Sequence, residues 1–323
     1  MTQQTRTTLG IDISKRHFDV ALNTLNGKSK HKKFTNDEEG FKGLLAWLKP
    51  FDVNDLHACM EATNVYGDAL AEFLFDKNYD VSVVNPARVK GFSRSEMLRT
   101  KNDKQDASLI ARFCYAMNPT LWQPKPTNIK HLKAMAKRLD TLIEMRQQEV
   151  NRLDVADPVV QPDIECHISD IETLITDMKL RIEVHIAKDP DLNRKKELLL
   201  SIPGIGEKTI STLLSYFSDV EQFDNAKKLA SFCGVAPREF QSGSSVKGRG
   251  GMSKVGSAHV RKALFMPAMT ALRFNPLIIS MKERLSSQGK PKMVIIGAAM
   301  RKLIHIIYGV LKNNTPFNEN IAV

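Results

Sequence analysis

The order of short apolar runs in the first hundred residues limits what this chain can fold into more than any other feature. Residues 7–13 and 18–22 are β-prone runs, and the Asn26-Gly27 turn signal leads to a third around 31–34, which reads as an antiparallel meander. Asn36-Asp37 then caps a helix carrying Phe41, Leu44, Leu45 and Leu48, and Pro50 stops it. A strand over 56–60, a helix from about 65 to 77, a strand over 80–84 and a helix after Pro86 follow, with a last helical run through Leu109, Ile110 and Phe113.

Three antiparallel strands followed by helix, strand, helix, strand and helix is the order of a ribonuclease H type α/β domain. Four carboxylates acquire meaning within it. Asp12 lies inside the first strand, Glu61 directly after the apolar tip of the fourth, and Asp103 and Asp106 open the terminal helix. Acids three residues apart share a helix face. Within about 4 Å of each other they repel by roughly 4 kcal/mol at an effective dielectric of about 20, so the pair favours a cation, and magnesium is the hard, oxygen-seeking choice. The first and fourth strands are neighbours in such a sheet, so the four acids would converge and could hold one or two Mg2+ ions on a phosphodiester. The plainer reading makes Asp103 and Asp106 helix N-terminal acids beside Lys101 and Lys104, Asp12 a strand-end acid, and Glu61 another helix-start acid.

The period then changes. Residues 119–127 are proline-rich and read as a stiff linker. Ile129, Leu132, Ala136, Leu139, Ile143, Val150 and Leu153 keep an alternating three-four spacing, interrupted at Arg146 and resumed after Pro158 and Pro162 in Ile164, Ile168, Ile171, Ile175, Met178 and Ile182. Two helices of coiled-coil type joined by a proline turn make an antiparallel hairpin, a seam that suits a second copy of the chain as well as its own.

Beyond residue 191 the chain reads as mainly helical. Ile202-Pro203-Gly204-Ile205-Gly206-Glu207-Lys208 resembles the turn of a helix-hairpin-helix DNA-binding unit, where Gly204 and Gly206 let backbone N–H groups approach a phosphate. A basic Gly/Ser loop follows, with Ser242, Ser244, Ser245, Lys247, Arg249 and Lys254, and then helices bearing Arg261-Lys262 and Arg301-Lys302. Lys and Arg number 47 against 36 Asp and Glu, a formal charge of +11 that suits a polyanionic partner. The apolar stretch 293–311 is broken by Arg301, Lys302 and His305 and reads as a buried helix, so no membrane association and a cytoplasmic location are expected. The four cysteines are far apart in sequence, which argues against disulfides and zinc.

Five motifs together, Gly10-Ile11-Asp12, Glu61-Ala62-Thr63, Asp103-Lys104-Gln105-Asp106-Ala107, Ile202-Pro203-Gly204-Ile205-Gly206 and Ser242-Gly243-Ser244-Ser245, resemble those of insertion-sequence 110 family transposases along essentially the whole chain. The resemblance implies a RuvC-like DEDD domain over 1–118, a linker and coiled-coil hairpin over 119–190, and a helical transposase domain over 191–323. It implies Mg2+ on Asp12, Glu61, Asp103 and Asp106. A serine of the late loop, by motif position Ser242 with Ser244 in reserve, would attack DNA. It further implies donor and target DNA, an element-encoded structured bridge RNA that chooses sequence, and a dimer to tetramer. Asn64 and Asn102 depart from the family pattern without removing a ligand. Two other functions fit the residues: a two-metal nuclease or junction resolvase without a serine nucleophile, and a non-catalytic nucleic-acid scaffold.

Overall fold

The computed structural model describes residues 6–23, 29–51, 53, 55–62, 66–96, 103–217, 219–238, 241–242, 246–247 and 251–319, with backbone alone for 103, 104, 241, 242, 246 and 247. The Asn26-Gly27 turn lies outside the described residues. The chain divides into two compact units, Met1–Lys125 and Pro126–Val323.

In the first unit, β1 (Thr7–Ile13), β2 (His17–Asn23) and β3 (Ser29–Thr35) are followed by α1 (Glu38–Leu48), β4 (Leu56–Glu61), α2 (Asp68–Asp76), β5 (Asp80–Val84), α3 (Pro86–Ser95) and α4 (Asp103–Met117). The strands form one mixed sheet in the order β3-β2-β1-β4-β5. Both meander pairings are antiparallel, whereas β1–β4 and β4–β5 are parallel. This order and these directions are compatible with the ribonuclease H type expected from the sequence. Asp37 caps α1 by accepting the Gly40 N–H, which holds its carboxyl below the usual range. Asn85 caps α3 in the same way, through Ala87 N–H.

Strand alternation divides the sheet's side chains between two faces. Leu9, Ile11, Ile13, Ala58 and Met60 point to one face and pack with Phe41, Leu44 and Leu48 of α1 and Leu70 and Leu74 of α2. The opposite face meets α3 and α4 through Cys59, Val84, Val89, Ile110, Phe113 and Cys114. Small residues let α4 approach closely, since Ala21, Ala107 and Ala111 cluster and a Cβ on Gly10 would stand 2.1 Å from Ala107 O and 2.3 Å from Ala111 N. Cys59 and Cys114, 55 positions apart, meet here as buried free thiols, and the hydrogen bond between them pushes the Cys114 thiol far up. Gly10→Ala should therefore cost about 3 kcal/mol, because backbone rather than a movable side chain is in the way. Urea unfolding checks this, and an unchanged midpoint would mean that α4 can stand off β1.

His57 lies buried on the same face, 2.8 Å from Ser82 Oγ, and burial pushes its pKa below the ordinary 6.5. The unfolded chain then binds the proton more readily than the folded one, so stability is held above about pH 6.5 and lost as pH falls below it. His57→Phe should flatten the dependence of the unfolding midpoint on pH between about 7.5 and 5.5. Ser82 also donates to Thr120 O, and Trp122 N–H to Val81 O. The first residues of the proline-rich stretch are thus docked along β5, with the Trp122 ring edge-on to Phe75.

In the second unit, α5 (Thr127–Leu153) and α6 (Gln161–Ala187) form a helical hairpin. Arg146–Glu172, Glu149–His167 and Asn128–His185 contacts have nearly constant number sums, which makes the pair antiparallel. The buried stripe on α5 includes Leu142 and Glu149, where spacing had favoured Ile143 and Val150. The reason is that α5 packs on α8 as well as α6, widening the apolar face beyond a two-helix seam, while Arg152 and His167 cover Glu149.

The body continues with α7 (Pro190–Leu200), α8 (Glu207–Phe217) and α9 (Ala226–Phe232). Four two-residue strands follow, β6 (Pro237–Arg238), β7 (Gln241–Ser242), β8 (Val246–Lys247) and β9 (Gly251–Met252), then α10 (Ala258–Phe274), α11 (Pro276–Ser287) and α12 (Lys292–Asn313). The last helix is long and apolar enough by composition to cross a membrane. Here its apolar residues from Ile295 to Leu311 are mostly buried, and the helix packs on α7, α9, α10 and α11.

Candidate active site

The acids of the first unit gather at one end of the sheet. Register places Thr7 opposite Leu56 and Ile11 opposite Met60, so Asp12 and Glu61 stand at the next paired position, at the carboxyl ends of adjacent parallel strands. Both are half-buried. Helix α4 runs antiparallel to β1 across this face: Thr8 Oγ1 donates to Ala111 O, Gly10 sits under Ala107, and one further turn back along α4 is its start at Asp103. The backbone of position 103 is thereby carried toward the strand end that bears Asp12. Asp106, also half-buried, precedes Ala107 on the same turn.

Sequence reasoning missed Asp19. It is the antiparallel register partner of Asp12, so three neighbouring strands carry acids in one row, and Lys33 of β3 binds Asp19 at 3.2 Å. The signal lay in the meander register, which a one-residue shift of the turn would have changed. Like charges directly opposite are unfavourable without a cation. Among the described residues no three His, Cys, Asp or Glu side chains close into a metal group, and the Asp103 side chain lies outside that set, as do Lys101 and the side chain of Lys104.

In the second unit the described residues of the Gly/Ser segment form two short antiparallel strand pairs, one within the other in sequence. Strands β6 and β9 pair Arg238 with Gly251, and inside them β7 and β8 pair Ser242 with Val246. Ser244, Ser245 and Arg249 lie outside the described residues, and only backbone is described for Ser242 and Lys247. The Ile202–Gly206 turn joins α7 to α8. Gly204 has φ +104° and a Cβ there would meet Ala271 at 2.8 Å, so this glycine is required by packing on α10, whereas Gly206 faces open space at the start of α8. Lys208 pairs with Asp140 at 3.3 Å and Lys262 with Glu144 of α5. Arg261 Nη1 donates to Lys254 O, and Lys254 itself has φ 56°.

Comparison with known proteins decides the family. Residues 9–156 match a DEDD transposase family and residues 196–283 a family described as "Transposase IS116/IS110/IS902 family". The chain is 37% identical over 319 residues to the pilin gene-inverting protein of Moraxella lacunata, covering 98% of this chain and 99% of that protein. The pilin gene-inverting protein of Moraxella bovis is similarly related, 37% identical over 322 residues with 98% and 99% covered. The chain belongs to the IS110 family of transposases. A more distant relative, the transposase for insertion sequence element IS1111A of Coxiella burnetii, is 23% identical over 224 residues, 59% of each chain. Membership makes the chain a DNA-processing enzyme of the transposase and recombinase class, with DNA as substrate.

Proposed function

We propose that this enzyme cuts and rejoins DNA strands through a serine–phosphate bond formed by Ser242, with Asp12, Glu61, Asp103 and Asp106 as the acids that hold magnesium. The reading is supported above all by the row of acids on β1 and β4 beneath the start of α4, because folding spends glycine and alanine on bringing that helix close. An all-carboxylate donor set suits a hard, oxygen-seeking ion, so the residues fit magnesium. Bound there, it would neutralise charge on phosphoryl oxygens and lower the pKa of a hydroxyl brought to it.

The serine oxygen forms a bond to phosphorus as the bond to a deoxyribose oxygen breaks, the serine losing a proton and the departing sugar oxygen gaining one. Rejoining reverses the exchange with a second sugar hydroxyl, which restores the serine and conserves the phosphodiester energy. Carried out at two oppositely oriented positions on one DNA molecule, the same steps invert the intervening segment, as the names of the Moraxella relatives describe for those proteins. The acids would belong to a RuvC-like domain over 1–118, the hairpin over 119–190 would join copies into a dimer or tetramer, and 191–323 would present the serine. A bridge RNA encoded by the element would pair with donor and target and choose the sequence, leaving the protein to hold duplexes by backbone and shape. Incubating the protein with end-labelled DNA and magnesium, then mapping the adduct by mass spectrometry, tests this. A phosphodeoxyribosyl group on Ser242 supports it, and hydrolytic cutting without any adduct overturns it.

A further inference from the structure

A cavity of about 680 Å³ in the second unit opens between the β6–β9 strand pair and helices α11 and α12. Among the described residues its charged lining is cationic, Arg238, Arg284, Arg301 and Lys302, with no carboxylate. The neighbouring cavity of about 830 Å³, which shares Met252, Met293 and Gly297, has Asp140 and Glu144 in its lining, paired with Lys208 and Lys262. Arg284 and Arg301 enter no ion pair among the described residues. Cations gathered over an apolar floor repel one another, and a bound anion relieves that repulsion.

Two further observations define the ligand. His305 also lines the cavity, and its Nε2 is buried with no hydrogen-bond partner among the described residues. Burial, with Arg301, Lys302 and Lys227 nearby, pushes its pKa down, so it offers a neutral hydrogen-bonding nitrogen instead of one more positive charge. The floor is Met252, Met281, Leu285 and Met293, and soft thioethers suit the flat face of a base. The volume lies in the range of small-ligand sites and is large enough for one nucleotide.

We infer that this cavity takes one unpaired nucleotide of a DNA strand, its phosphate on Arg284 and Arg301 and its base against the methionine floor. Such a site would hold a strand melted out of its duplex, and Arg238 lies only four residues before Ser242. The inference rests on the chain's action on DNA. Its bearing on strand exchange rests in addition on the serine reading.

Equilibrium binding separates the two. Anisotropy of labelled oligo-dT is measured with the full-length protein in chelator, beside a duplex of equal length, so neither Ser242 chemistry nor magnesium enters. Arg284→Gln with Arg301→Gln should weaken single-strand binding at least about tenfold and flatten its log–log salt slope by about 0.7, the share of the one phosphate they hold, while duplex binding stays within about twofold. Ala298→Trp, which fills the cavity and leaves its charges, should also weaken single-strand binding, with the salt slope unchanged. Arg284→Lys with Arg301→Lys should retain most of the affinity, which rules out misfolding as the cause. Equal losses for single strand and duplex, no loss in either variant, or tighter binding of oligo-U than of oligo-dT would each overturn the assignment.

Discussion

Ser242→Ala should abolish the covalent protein–DNA adduct and lower strand exchange by at least about three orders of magnitude, since removing a nucleophile costs up to about a millionfold where one serves. The substitution deletes one oxygen from a residue of the inner strand pair, and Ala keeps the β7–β8 pairing with Val246. Folding and DNA affinity should therefore stay near wild type, and a duplex-binding titration run beside the exchange assay shows whether they do. Ser244→Ala and Ser245→Ala serve as the matched comparison. If Ser244→Ala removes the adduct and Ser242→Ala does not, the nucleophile is one motif position later. If Ser242→Ala still cuts at a substantial rate and releases free DNA ends, the acids activate water, and the enzyme is a hydrolase whose serine only touches phosphate.

The first unit was largely legible because its elements carry local signals that packing reinforces. Strands at 7–13 and 80–84 and the cap at Asp37 follow directly from short apolar runs and side-chain capping. What sequence could not give was registration. Asp19 became visible as a neighbour of Asp12 only once β1 and β2 were aligned, and the Cys59–Cys114 contact arises from a helix crossing a strand more than fifty residues away. In the second unit the hairpin helices were legible from their spacing, but the pairing of β6 with β9 was not. Two-residue strands in a Gly/Ser segment leave no periodicity to read, and composition alone pointed to a loop. The cationic cavity was hidden for a different reason. Arg238, Arg284 and Arg301 come from three separate elements, and each alone looks like ordinary solvated surface.

Asp12→Asn should combine a loss of function with a gain of stability. In the absence of metal the Asp12 carboxylate faces Asp19 across one strand pair and lies beside Glu61 across the other. Like charges directly opposite cost about 0.2 to 1 kcal/mol, so replacing one by a neutral amide of the same shape should raise the stability of the metal-free protein by an amount in that range. Magnesium at ten times its Kd should stabilise the wild type by about 1.4 kcal/mol through linkage, and that increment should shrink toward zero in Asp12→Asn. Strand exchange should fall by roughly three orders of magnitude, the size of several kcal/mol of lost charge stabilisation at the phosphoryl group. Glu61→Gln should behave alike, because it ends the neighbouring strand at the same level. Thermal melts with and without magnesium, run beside the exchange assay, read both quantities on one sample. A variant that loses stability while keeping exchange would make Asp12 an ordinary strand-end acid and move the metal-binding carboxylates elsewhere. A non-catalytic scaffold would show the stability gain with function intact.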